Sequence, residues 1–286
     1  MPRERTPEEL DRAAWLVAAG TGLYLLVALG AVLLVDVLNA FGSRDALEDS
    51  EVDPPALWWN LFANGRPSEW VQWGMLVAFA LLCARLAGQL QDTGSPAAVR
   101  FWGVLGVLGG LLVIEDAGDP RHRMSQMVRW FIDHPAAGTV TELLWYLFLG
   151  AVAGYALLLY GRVLGQAPRA WRTMWAGVVL YGAIGAASAL RYMNDWYMAV
   201  GNALRERLLA GRPPDVDALQ DGRDDGYVTG HYFMDSVVEE SIELIAATLL
   251  VMAVLRYLAH LRRDATIAEV HDGLWARESL IPIRPR

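Results

Sequence analysis

Apolar positions gather into long runs rather than alternating or recurring every third or fourth place. Uncharged stretches extend from Ala13 to Val35, Trp70 to Ala84, Phe101 to Ile114, Leu143 to Gly161, Thr173 to Leu190 and Leu244 to Leu255. Runs of this length, lacking a polar stripe, predict helices that are apolar on every side, as in a bilayer. The expected fold is all-α, a polytopic integral membrane bundle of six transmembrane helices. The second, third and sixth runs fall short of the roughly 20 residues a bilayer needs, so Arg85, Glu115, Glu243 and Arg256 are drawn inside the helix ends.

Helix-start signals agree with the runs. Thr6, Pro7 and Glu9 form a capping box with proline at the first helical position. Ser68 is placed to cap the second helix, Ser95 with Pro96 starts the third, and Pro168 starts the fifth. Pro54 and Pro55, after the acidic stretch from Asp45 to Asp53, mark a solvated connection. Three segments follow: a cytoplasmic N-terminal stretch at 1–12, the six-helix domain at 13–263 with an acidic external loop at about 211–230, and a cytoplasmic tail at 264–286. Asp215, Asp217, Asp221, Asp224 and Asp225 make that loop acidic without the alternating spacing of a calcium loop.

Orientation follows the distribution of arginine between the spans. With a cytoplasmic N-terminus, 14 arginines lie inside and 10 outside, so both termini are placed in the cytoplasm and the protein in an inner, plasma membrane. Trp58, Trp59, Trp70, Trp73, Trp145 and Trp196 then read as anchors at one interface, and Trp15, Trp102, Trp171 and Trp175 at the other.

Composition sharpens the class. The 286 residues are 55% hydrophobic, and the net charge is -8, which argues against a nucleic-acid partner and leaves the lipid bilayer as the expected one. A single cysteine, Cys83, excludes an intrachain disulfide and any cysteine metal motif. The 24 basic residues are all arginine, which suggests a GC-rich coding sequence and a bacterial source. The N-terminal apolar run follows Glu4, Glu8, Glu9 and Asp11 and reads as a retained helix rather than a basic leader.

Candidate chemistry collects at one end of the spans. His231, Asp235, Glu239 and Glu243 step by four and share a helix face, with Glu243 deepest. Glu240 points about 100 degrees away from Glu239 at 3.6 residues per turn. Ser236 and Glu239 also read as a capping box. At the end of the third span, Glu115 and Asp116 sit where the helix dipole disfavours negative charge, with Arg121, Arg123, Arg191 or a cation as candidate compensation. Glu115, Asp119 and His122 would align on an unbroken helix, but Pro120 favours Asp119 as the N-cap of a new amphipathic segment. Glu142 reads as half of a capping box with Thr139, and Arg191 with Asp195 as an intrahelical ion pair. Asp36 and Glu69 complete the polar ring, while His260 and His271 fall on the opposite side.

Ionisable groups at a bilayer boundary are costly without partners, so this ring is a functional-site hypothesis. The sharpest reading is a divalent-metal site acting on a lipid-like or headgroup substrate. Glu115, Asp116, Asp119, His122, His231, Glu239 and Glu243 are the candidate ligands, and Glu243 and Glu115 the candidate catalytic acids. Zinc prefers histidine-rich sets, whereas iron or manganese tolerates carboxylates. Two alternatives stand beside it: a proton- or cation-coupled transporter, and a non-catalytic component whose polar cluster holds helices or a partner.

Overall fold

The computed structural model describes residues 5–49, 56–63, 65–91, 95–132, 134, 136–191, 195–208 and 230–278. The described residues are helical almost throughout and contain no strand. The first helix, α1 (Pro7–Val32), starts on the predicted capping box, with Thr6 Oγ1 accepting from the Glu9 amide at 3.3 Å and the Glu9 carboxylate accepting from the Thr6 amide at 2.8 Å. It runs into a π-helical segment, Leu33–Val37. Short helices α2 (Ser43–Glu48) and α3 (Leu57–Phe62) lead to α4 (Pro67–Leu90), α5 (Pro96–Gly118), α6 (Pro120–Phe131) and α7 (Ala136–Tyr160). Beyond them come α8 (Arg162–Gly165), α9 (Pro168–Ala189) and α10 (Trp196–Leu208). A second π-helical segment, Phe233–Glu239, opens the last helix, α11 (Glu240–Glu278).

Among the described residues, five helical stretches are long and apolar enough to cross a membrane: Pro7–Val37, Leu57–Leu90, Pro96–Gly118, Ala136–Tyr160 and Gly230–Ala265. The three short apolar runs do extend into their charged flanks, since α4 includes Arg85, α5 ends beyond Glu115, and α11 holds both Glu243 and Arg256. The remaining expected span lies within α9, a 22-residue helix that is not among the five. Arg169 and Arg172 near its start lower its hydropathy, and its glycines allow close packing. An added Cβ on Gly177 would stand 3.0 Å from Leu250 Cδ2, and one on Gly185 3.0 Å from Tyr146 Cε1. Small residues let helix backbones approach where apolar surroundings supply no hydrophobic drive.

The last helix is the hub. It packs against α1, α4 and α9, while α5 bridges α4 and α7, and α7 closes towards α6 and α9. The outer surface carries Trp15, Leu16, Leu26, Leu144, Leu147 and Leu158 exposed, an apolar coat suited to lipid rather than water. Polar groups inside join helices, as in the 2.8 Å contact between the Thr21 and Thr248 hydroxyls.

Several expectations change here. Trp58 and Trp102 are fully buried, so they pack the interior instead of anchoring an interface, and Trp58 meets Phe233 edge-on at 5.9 Å. Ser68 is not a cap: Arg66 occupies that position, and the Ser68 hydroxyl lies 2.8 Å from that of Tyr24. The last helix, α11, runs through position 264 to Glu278. The acidic loop aspartates lie outside the described residues.

Candidate functional site

The polar ends of α5 and α11 come together through Gln72 of α4, where α5 stops and α11 starts. Asp119 adopts a left-handed conformation with φ 48°, ending α5, and Pro120 opens α6. Asp119 thus occupies the expected N-cap position, and its side chain accepts from His122 Nδ1. Burial raises the Asp119 pKa, yet the His122 contact and the Arg121 charge outweigh it and hold the carboxyl below its usual range.

Glu115 and Arg121 face each other across this corner, with Arg121 Nε 3.3 Å from Glu115 Oε1. Arg121 also donates to Ser188 at 3.3 Å and lies 4.7 Å from the Tyr146 ring centre. Of the compensating groups considered for Glu115, Arg121 is the one found there. Asp116 is answered differently: Gln72 on α4 donates both amide hydrogens, to Asp116 Oδ2 at 2.8 Å and Glu243 Oε2 at 2.7 Å. One neutral amide therefore holds two carboxylates from α5 and α11. The Tyr181 hydroxyl stands 3.5 Å from the same nitrogen.

Arg191 forms a second node. It donates to Asp235 at 3.0 Å and to Glu142 at 3.4 Å, and it contacts His122 Nε2. Arginine cannot accept a hydrogen bond, so His122 accepts through Nε2 and carries its proton on Nδ1 towards Asp119. The expected Arg191–Asp195 pair is replaced by these longer-range partners. Asp195 has φ 51°, and its backbone carbonyl accepts from the Ala199 amide at 2.9 Å. The expected capping box at Glu142 also gives way, because α7 begins at Ala136 and the buried Glu142 reaches Arg191.

The π-helical segment alters the four-residue stripe. Its i to i+5 bonding widens the turn, and both Glu239 and Glu240 reach the same cavity. It also removes the expected capping box at Ser236, since 233–239 continues a helix with no side-chain cap. Glu239 accepts from the Tyr197 hydroxyl at 2.6 Å. His231 lies against Tyr197, ring centres 5.3 Å apart, and is outside the cavity lining.

Asp36 and Glu69 serve nearby backbone. Asp36 is fully buried and accepts from the Leu57 and Trp58 amides at 3.0 and 2.8 Å, capping α3 from 21 residues away. Asp36→Ala is expected to lose about 1–3 kcal/mol by orphaning those donors, read as a lower midpoint in detergent thermal unfolding. Glu69 accepts from the Gly65 amide while lining the cavity.

That cavity has a volume of about 750 Å³ and runs between α5, α7, α9 and α11. At one end stand Glu69, Glu115, Asp116, Asp119, Asp235, Glu239, Glu240 and Glu243, with Arg121 and His122 as the basic groups of the lining. The rest is apolar, walled by Leu105, Leu108, Leu157, Met174, Val178 and Leu250. Its wall includes Leu147 and Leu158, which are 66% and 81% exposed on the outside of α7, so the cavity reaches the lipid-facing surface.

Among the described residues, no three or more His, Cys, Asp or Glu side chains are arranged to hold a metal ion. The expected ligands Glu115, Asp119 and His122 are engaged with Arg121, with each other and with Arg191. Gln72, Ser188, Tyr181 and Tyr197 are additions that the charge pattern does not single out. An amide inside the otherwise apolar run from Trp70 to Ala84 is the signal that identifies Gln72. Comparison with protein-family models, with curated proteins and with solved structures finds no match to this chain.

Proposed function

We propose that this is a multi-pass plasma-membrane protein that takes a lipid-like amphiphile into the cavity and holds its headgroup at the carboxylate cluster. In this reading α9 is the sixth span, both termini are cytoplasmic, and the acidic end of the cavity faces outside. The supporting observation is the cavity's division into a carboxylate-rich end and a long apolar wall that reaches the exterior of α7. An amphiphile is the ligand class whose own polarity follows that division, and pockets of several hundred Å³ bury ligands of this kind.

Asp116 and Glu243 are the groups assigned to the headgroup, because both enter the cavity and share a neutral partner. Glu115, with Arg121 beside it, is assigned to orienting that end. Zinc, iron or manganese chemistry ranks second, since it needs donors to regroup from the partners they now have. Ion translocation also ranks below amphiphile binding. The polar groups at the opposite end, Arg256 with Thr173 and Arg263 with Asp11, tie helices together and are not part of the cavity wall.

Gly154 supplies the test. It lines the cavity, and an added Cβ there would meet nothing within 4 Å. Gly154→Leu is expected to fold normally while displacing the ligand. Native mass spectrometry of the wild type, released from gentle detergent, should show a co-purified amphiphile at near-stoichiometric occupancy, and the variant should lose most of it. Equal retention by both proteins would count against this cavity as the binding site.

A further inference from the structure

The acidic end of the cavity is unevenly neutralised. Glu115 has Arg121 and Asp235 has Arg191, while Asp119 accepts a hydrogen bond from His122. Where α11 begins, Asp116 and Glu243 share only the Gln72 amide, and neither they nor Glu240 forms an ion pair among the described residues. Glu240 lies within electrostatic reach of Glu69, Asp116, Glu239 and Glu243.

Glu240 also carries an unanswered atom. The residue is 7% exposed and lines the cavity, and its Oε2 has no hydrogen-bond partner among the described residues. An ionised carboxylate accepts hydrogen bonds and donates none, and leaving one of its buried oxygens unsatisfied is costly. A ligand that satisfies this oxygen donates a hydrogen bond, and a positive charge on it would offset the neighbouring acids. A bare metal ion answers the charge but leaves the apolar wall empty. A quaternary ammonium answers the charge without an N–H.

We infer that the cavity's ligand is a long-chain ammonium, a protonated primary or secondary amine whose N–H groups donate to Glu240 and Glu243 while its tail lies along Gly154, Leu157 and Met174. This inference rests on the amphiphile reading and specifies its head. A simple alkylamine and an ethanolamine phospholipid share this ammonium chemistry. Entry is lateral, past Leu147 and Leu158 of α7, since an amphiphile dissolved in the bilayer arrives from that side.

The experiment uses the full chain in maltoside micelles near neutral pH, with calorimetry of dodecylamine, dodecyltrimethylammonium and dodecanol. The trimethyl probe gives the micelle the same charge as the amine but lacks an N–H. Dodecylamine is expected to bind about tenfold or more tightly than either other probe, the difference a charge-assisted hydrogen bond supplies. Glu240→Gln should weaken dodecylamine about tenfold and leave dodecanol unchanged. Lysophosphatidylethanolamine binding as tightly as dodecylamine would support the proposal and identify a phospholipid source.

Equal binding of the three probes would overturn the ammonium assignment while leaving the amphiphile reading intact. Displacement of dodecylamine by micromolar manganese or zinc would overturn it in favour of a metal. Failure of every probe would remove both readings. If Glu240→Gln does not fold, the ranking of the probes on the wild type still decides the matter.

Discussion

Arg191→Met is expected to be the most damaging single substitution at the site, costing about 3–5 kcal/mol because it leaves buried carboxylate without its cation. Arg191 is buried and joins Glu142 of α7, Asp235 of the last helix, His122 of α6 and Ser188 of α9. Glu142 is fully buried, so its charge has no route to water once the guanidinium is removed. A loss of that size is a large share of the roughly 5–15 kcal/mol that holds a typical domain folded. Thermal unfolding in detergent, with size-exclusion profiles, reads the effect directly. Adding Glu142→Gln to Arg191→Met should recover much of it, since a neutral amide removes the stranded charge. An unchanged midpoint for Arg191→Met alone would show that the node is not structural.

Gly109→Leu should rank second, through packing instead of charge. An added Cβ would stand 2.9 Å from Phe79 Cδ1, 3.0 Å from Ala80 Cβ and 3.1 Å from Ala80 Cα, and backbone that close has nowhere to move without separating α4 from α5. Overpacking of this kind costs about 1–3 kcal/mol, more where a backbone must shift. Thermal unfolding of Gly109→Leu should show a lowered midpoint, and an unchanged one would contradict the close approach. Separating α4 from α5 also pulls Gln72 away from Asp116, so ligand binding should fall together with stability. Gly154 gives the contrast, because its surroundings are open and the same leucine there should affect binding alone. The two glycines therefore separate damage to the scaffold from occupation of the cavity.

Much of the helical plan is visible in the chain because it depends on neighbours. The capping box at Thr6 and Glu9, and the prolines at 96, 120 and 168, act within one helical turn, and the helices begin where these residues place them. The apolar runs place helices for the same local reason, although α9, whose small residues serve packing, falls short of the apolar character of a span. What the sequence conceals is long-range partnership. Glu142 resembles a cap until Arg191 arrives from 49 residues away, and Asp36 resembles a site acid until it receives the amides of α3. Gln72 reaches Glu243 across 171 residues, a pairing no local spacing encodes. The π-helical segment is equally hidden, because it breaks the regular stepping by which Glu239 and Glu240 seemed to face different neighbours. The concentration of acids at one end is legible as a cluster. Its division into paired and unpaired members requires the packed helices.

The most direct test of the account is a crystal structure of the wild-type protein grown from a lipidic mesophase and inspected along the cavity between α5, α7, α9 and α11. The account predicts one elongated feature of density, with its head against Asp116, Glu240 and Glu243 and its tail beside Gly154 and Met174. A closed interface, with α7 collapsed onto α9 and no room for a ligand, would contradict it.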